Sequence, residues 1–283
     1  PSSPRLARRG GGVKHPAPRP PRGFLGRFVH CPTMTREAFG VDIGGSGIKA
    51  ARVDLTTGEF LAPRYRIATP KPATPQAGAG TVRELVEHFS WGGPVGITLP
   101  SVVTDQTAHS AANIDDSWVG VHVGALFEEA LGGREVSVLN DADAAGIAEC
   151  RFGDPRITDG PVIFLTLGTG IGSAFLLDGQ LFPNTEIGHL QVGKKEAEHR
   201  ASASAKERHE WSYPAWAKRL SRVLRSYEHL FHPRLFVIGG GVSKHAERWV
   251  PHLELDTPVV PASLKNSAGI VGAALAAAEG IKP

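Results

Sequence analysis

The chain has 283 residues, with 31 Lys+Arg against 28 Asp+Glu and a formal charge of +3. Residues 1–34 hold seven bases and no acid, so the remainder carries 24 bases against 28 acids, a net −4. The pI near 9.0 therefore belongs to the first 34 residues and does not mark a nucleic-acid binder; Cys31 and Cys150, the only two cysteines, exclude a disulfide scaffold and a four-cysteine zinc site.

No apolar run approaches the ~20 residues of a membrane span, and a reducing cytoplasm is the default setting. Residues 1–34 also contain seven prolines and five glycines, too little apolar surface to offset the entropy of ordering. They read as a disordered basic extension, with an anionic-surface tether as the alternative. Met34 is the only methionine, and the sequence after it reads as the start of a domain. The expectation is that Met34 is the natural start.

Phe39 to Asp54 predicts a strand, a turn at Gly44-Gly45-Ser46-Gly47 and a returning strand. Val136–Leu139 predicts a buried strand leading through Asn140 and Asp141 into an alanine-rich helix to Cys150. Val162 to Gly179 repeats the first grammar, with its turn around Thr169 and Gly170, about 124 residues later. Neither turn matches a P-loop or a dinucleotide fingerprint. Glycine turns of this kind let backbone N–H groups converge on phosphate oxygens, and Ser46 and Thr169 add hydroxyls. A third run, Gly239-Gly240-Gly241, follows the apolar strand 235–238 and leads into a helix from Ser243. Three strand-to-glycine elements fit a phosphate cleft between two lobes.

Between the second and third turns, residues 194–225 carry nine bases and four acids, the main positive excess outside the extension. Trp216, Leu220, Val223 and Leu224 recur at helical spacing, so Lys218, Arg219, Arg222 and Arg225 face outward. The segment reads both as an amphipathic helix and as a stripe that a linear polyanion would touch. A small-residue helix near 267–278 closes the chain.

Taken together, Asp42-Ile-Gly-Gly-Ser-Gly-Ile-Lys49, Asn140-Asp141-Ala-Asp143, Leu167-Gly-Thr-Gly-Ile-Gly172, Glu186-Ile-Gly-His189 and Ile238-Gly-Gly-Gly-Val242 resemble the ROK-family sugar kinases, in order, over residues 39–278. The resemblance implies an α/β, two-lobed actin/hexokinase/Hsp70-like (ribonuclease H-like) fold, each lobe a mixed sheet flanked by helices. The small lobe would span 35–139 plus 266–283, and the large lobe 140–265. Most of the family has a zinc-binding cysteine cluster after Glu-x-Gly-His. Residues 190–211 contain no cysteine, so no structural zinc is expected, and this variant looks like the actinobacterial polyphosphate glucokinases.

By the same resemblance, Asp141 is the general base, its alternative role being a helix N-cap. Asn113, Asn140, Asp141, Glu186 and His189 bind the sugar. Glu210 is a further sugar ligand where the family has a Glu after the cluster, or a solvated charge. Gly44, Gly45, Ser46, Gly47, Thr169, Gly170, Gly239, Gly240 and Gly241 cradle phosphates. Asp42 holds Mg²⁺ through water, with no direct protein ligand to metal, and Lys49 adds charge to the phosphates or points to solvent. Lys194, Lys195, Arg200, Lys218, Arg219 and Arg222 form the polyphosphate stripe. The expected reaction moves a terminal phosphoryl group from polyphosphate or ATP to the 6-hydroxyl of glucose or mannose. A homodimer is expected, and no nucleic acid or membrane partner. The alternatives are a strictly ATP-dependent glucokinase of the family and a sugar-responsive ROK regulator, whose helix-turn-helix has no counterpart in residues 1–34.

Overall fold

The computed structural model describes residues 37–283. The basic extension and the start at Met34 lie outside the described residues.

The first half runs β1 (Glu37–Gly44), β2 (Gly47–Asp54), β3 (Tyr65–Ile67), α1 (Pro75–His88), β4 (Val95–Leu99), a short hairpin β5 (Val103–Thr104) and β6 (Thr107–Ala108), α2 (Val123–Ala130) and β7 (Val136–Asn140). The second half begins with α3 (Asp141–Phe152), β8 (Pro161–Leu167), β9 (Ile171–Leu177) and β10 (Gln180–Phe182). It continues through the hairpin β11 (Gln191–Val192) and β12 (Lys195–Glu196), then α4 (Ala197–Ala201), α5 (Ala203–Arg208) and α6 (Tyr213–Phe231). The chain finishes with β13 (Leu235–Gly239), β14 (Val259–Pro261) and α7 (Ala268–Glu279).

Two five-stranded sheets result, ordered β3-β2-β1-β4-β7 and β10-β9-β8-β13-β14. They repeat one plan. Each opens with a hairpin whose turn is glycine-rich, adds a third antiparallel strand on one side, and adds two parallel strands on the other. The duplicated strand–glycine–strand grammar in the sequence is this duplicated sheet. The parallel strands are mostly apolar because helices cover both faces; β4, β7 and β13 are buried at every position.

Layering follows from the apolar sets. Phe39, Val41, Ile97 and Val138 of the first sheet pack on Val82 and Leu85 of α1 and on Val123 and Phe127 of α2. Phe164, Ala174 and Val237 of the second sheet share a cluster with Ala145 and Ala148 of α3 and Ile270, Val271 and Ala274 of α7. The far face of the second sheet is closed by α4 and α6, through Ala197, Trp216, Leu220 and Leu224. The helical spacing read at Trp216, Leu220, Val223 and Leu224 is therefore the buried face of α6, which Ser212 caps.

α7 lies against β1 and β4 of the first sheet and against α3. Its small residues permit that approach from both sides. A Cβ on Gly40 or Gly96 would come within 1.9 or 1.7 Å of backbone oxygens of Ile270 and Ala273, and one on Gly272 within 1.7 Å of the Ala144 oxygen. The third glycine run leads into a 3-10 helix, Gly241–Arg248, rather than an α-helix. No helix among the described residues is long and apolar enough to cross a membrane.

Candidate active site

Each glycine turn follows the end of a strand that has a parallel neighbour. In the β1–β2 turn, the carbonyls of Gly44 and Ser46 are taken by Thr69 and Arg66. The turn is left with amide donors and the Ser46 hydroxyl. The β8–β9 turn is closed by Gly168 N–H donating to Gly170 O at 3.0 Å, and Ser204 N–H on α5 holds Gly168 O. Gly240, at φ +84, lies against the backbone of Leu167, where a Cβ would meet the Leu167 oxygen at 2.3 Å. The second and third glycine turns are thus side by side. Gly239 packs on Phe164 within the sheet, while Gly241 has open space.

Asp42 is half-buried near the end of β1, between buried Val41 and Ile43. Its Oδ2 pairs with Lys49 Nζ at 3.2 Å and its Oδ1 accepts from Thr98 Oγ1 at 3.1 Å. Lys49 is thus half-buried and balances Asp42. A Cβ on Gly269, in the first turn of α7, would lie 3.7 Å from the Asp42 carboxylate, a place where a helix N-terminus favours negative charge.

Asp141 is the first residue of α3, but it is not the cap. That role belongs to Asn140, whose Oδ1 accepts from Ala142 N–H at 2.8 Å and Asp143 N–H at 3.2 Å. Asn140 Nδ2 donates to Ser101 O at 3.1 Å. Buried and so committed, Asn140 has one amide hydrogen left, which bounds its part in sugar recognition. Freed of capping, Asp141 stays exposed to solvent while protein surrounds it at longer range. Loss of bulk water, then the charges of Asp42 and Glu186, push its carboxyl up to about 6.

Glu186 precedes a 3-10 turn, Ile187–His189, which brings its carboxylate within 3.9 Å of His189. The two thus share a face, as their spacing implies. Burial raises the Glu186 carboxyl, and the charge of Glu198 adds to it. His189 Nδ1 shares a hydrogen bond with Glu196 at 3.2 Å, which raises its imidazolium pKa. His189, Glu196 and Glu198 bring ligand atoms within 4.8 Å of one another, a grouping that can hold a metal ion, and the direct His189–Glu196 bond satisfies the imidazole without one.

Glu198 is the acid that sequence reasoning missed. Its Oε2 accepts from Ile171 N–H at 3.4 Å and lies against Gly170 in the second glycine turn. Glu210, assigned to the sugar, lies elsewhere. It is exposed at φ +52 and lines a separate surface cavity with Lys206, Trp211, Tyr213 and Arg248. The reason is the course of the chain: β12 turns directly into α4 and carries Glu198 back to the site, whereas Glu210 follows α5 outward. Thr169 belongs to the second turn itself. Asn113 is exposed at φ +62, and its backbone presses on Gly45, where a Cβ would meet the Asn113 oxygen at 2.5 Å. It is therefore placed beside the first glycine turn.

The basic stripe divides. Arg225 is neutralised by Glu254 at 2.7 Å, and Arg219 lies 3.9 Å over the Trp211 ring. Arg200 and Arg222 converge, each with a guanidinium nitrogen about 3 Å from where a Gly193 Cβ would stand. Lys194 and Lys195 adjoin that turn, and Lys218 lies one helical turn before Arg222; these three lysines have no ion-pair partner among the described residues. Two converging guanidiniums beside unpaired lysines are the part of the stripe suited to an anion.

The ROK family pattern matches residues 38–203. The chain is 54% identical over 244 residues to the polyphosphate glucokinase of Mycobacterium tuberculosis (strain H37Rv), covering 86% of this chain and 92% of that protein. The inorganic polyphosphate/ATP-glucomannokinase from Arthrobacter sp. strain KM superposes with a TM-score of 0.81 at 47% identity, over 86% of this chain and 99% of that one. The ROK glucokinase from Streptomyces griseus, solved with glucose and AMPPNP, superposes with a TM-score of 0.73 at 26% identity, over 86% and 99%.

Proposed function

The chain belongs to the ROK family, and on that premise we propose that it is a hexose kinase. It moves the terminal phosphoryl group of inorganic polyphosphate or ATP to the 6-hydroxyl of glucose. One observation carries the reading: Asp141, with its pKa raised to about 6, lies within electrostatic reach of both Glu186 and Asp42. Asp42 adjoins the first glycine turn, and Glu198, whose charge reaches Glu186, rests on the second. Phosphoryl transfer asks for little more than positioning, charge stabilisation and a proton acceptor.

In this mechanism Glu186 and His189, with Glu198 beside them, hold the hexose by hydrogen bonds to its hydroxyls. The 6-hydroxyl is placed against Asp141, which takes its proton as the hydroxyl oxygen bonds to the terminal phosphorus and the bond from that phosphorus to the donor's bridging oxygen breaks, ADP or the shortened polyphosphate leaving with that oxygen. Amides of the glycine turns and the Ser46 and Thr169 hydroxyls hold the phosphate oxygens. Asp42 and Asp141 repel one another, and a hard dication held through water at Asp42 would relieve that repulsion. The donor set, all oxygen, fits Mg²⁺ held through water at Asp42. Bound there, Mg²⁺ would supply charge neutralisation on the donor phosphates.

Polyphosphate as donor is supported by the relatives and by Arg200, Arg222, Lys194, Lys195 and Lys218. Contacts to a linear polyanion release counterions, so they weaken steeply with salt. The full chain should show kcat/KM for polyphosphate falling more steeply with added KCl than kcat/KM for ATP. Arg222→Ala should flatten the polyphosphate slope alone. Equal slopes for the two donors would remove the stripe from donor binding. A hexose-by-donor panel, with and without Mg²⁺, tests the reaction itself. The proposed homodimer would cover exposed Leu177 and Phe182 on β9 and β10, together with Phe231 of α6, whose ring meets Phe175 of β9.

A further inference from the structure

Asn184 is a left-handed residue, at φ +58, two positions before Glu186. Its carboxamide reads one backbone residue of the other half of the molecule. Val103 N–H donates to Asn184 Oδ1 at 2.9 Å, and Asn184 Nδ2 donates to Val103 O at 2.7 Å. This is the pairing of a β-ladder made by a side chain. Asn184 N–H donates to Asp143 Oδ2 at 2.8 Å. Asp143 is fully buried, and its Oδ1 has no hydrogen-bond partner among the described residues.

The hairpin that Asn184 grips is held the same way on its other side. Gln106, at φ +57, pairs its carboxamide with both Val138 N–H and Val138 O, at 2.9 and 3.0 Å. Val138 is in β7, which leads to Asn140 and Asp141. Beyond Asn184, the loop is fixed to β9 through Thr185 and Ser173, with Ile187 N–H donating to Ser173 Oγ at 3.3 Å. A continuous chain of hydrogen bonds thus runs from β7 through the β5–β6 hairpin to the Glu186 loop and back to α3. It joins the β7–α3 junction that carries Asp141 to the loop that carries Glu186.

We propose that Asn184, anchored by the buried Asp143 carboxyl, is a positioning residue for the hexose: it ties the Glu186 loop to the β5–β6 hairpin and so fixes the sugar side of the cleft. The inference rests on the hexose-kinase reading. An amide pair in this geometry has no isosteric substitute among apolar residues, and a buried backbone group left unpaired is costly. The bonds of Asn184 itself go to Val103 and Asp143 and to neither hairpin glycine turn, so its loss should divide the two substrates.

Asn184→Gly keeps the left-handed backbone and deletes the carboxamide. In the full chain it should raise glucose KM, and glucose Kd by calorimetry, about tenfold or more. The donor KM should stay within about twofold. Asp143→Ala should reproduce the effect, and Asp143→Asn, which keeps an acceptor for Asn184 N–H, should restore glucose KM to within about threefold of wild type. Hydrogen exchange without sugar reads the tie itself: residues 103–108 and 184–187 should exchange faster in Asn184→Gly and Asp143→Ala, and not in Asp143→Asn. Unchanged exchange in Asn184→Gly, or an equal rise in hexose and donor KM, would overturn the proposal. Wild-type protein that binds no glucose would sink the hexose reading and with it the hexose role of Asn184, whatever the exchange shows of the tie.

Discussion

Asp141→Asn is expected to lower kcat at least about a hundredfold, the usual size of a lost general base, while the protein stays folded. The substitution is nearly isosteric, and the cap of α3 is Asn140, so the helix keeps its N-terminal bonds. The Ala142 N–H that meets Asp141 Oδ1 at 2.8 Å still finds an oxygen. Removing one charge from a site that also holds Asp42 and Glu186 relieves repulsion, so the thermal midpoint should hold or rise. Steady-state kcat with a near-wild-type melting curve is the diagnostic pair. Retention of more than about a tenth of kcat would rule out the base. The pH profile adds a check with a definite sign. The base works unprotonated, and its pKa in the free protein is raised to about 6. Thus kcat/KM should be flat above that value and fall about tenfold per pH unit below it. Asp143, pushed up to about 7 mainly by its burial, titrates nearby. The acid limb should therefore survive in Asp143→Asn and vanish in the residual activity of Asp141→Asn.

The parts of this site legible in the sequence are those carried by backbone. Glycine turns after apolar strands announce themselves, because few other residues permit the turn, and the duplicated sheet plan follows from their repetition. Asp141 was legible as a residue at a strand–helix junction; its separation from the capping role was not. Asn140 and Asp141 are both good caps, and only the backbone decides which one reaches the second and third amides. In the sequence Glu198 is one of four acids within a basic stripe. Its role depends on the tight β11–β12 hairpin and the immediate start of α4, a path that spacing does not encode. Asn184 and Gln106 leave no pattern at all, since a lone amide signals nothing until its partner strand is known. Charge is legible as a total and not as a field: Arg219 is drawn off by the Trp211 ring and Arg225 by Glu254, which is 29 residues away in sequence.

Gly272→Ala is the stability change with the largest expected effect. The added methyl would stand 1.7 Å from Ala144 O and 2.3 Å from Ala144 C, backbone atoms of α3 that cannot rotate away. α7 cannot retreat, because its other face meets β1 and β4 at Gly40 and Gly96 with equal closeness. Overpacking of this kind costs about 3 kcal/mol or more when backbone must move. At roughly 2–4 °C per kcal/mol for a domain of this size, the midpoint should fall by about 6–12 °C. Function should suffer beyond stability, since α3 begins with Asp141 and α7 begins beside Asp42. Wedging the two helices apart separates the base from the acid proposed to hold the metal, and kcat measured well below the midpoint should drop as well. Gly80→Ala provides the contrast. Gly80 is interior to α1, with nothing within 4 Å of an added Cβ. There the same methyl should leave activity alone and raise stability by about 0.5–1 kcal/mol, through helix propensity and a less free unfolded chain. A Gly272→Ala midpoint within about 2 °C of wild type would mean that α3 and α7 are not wedged as closely as their glycines imply.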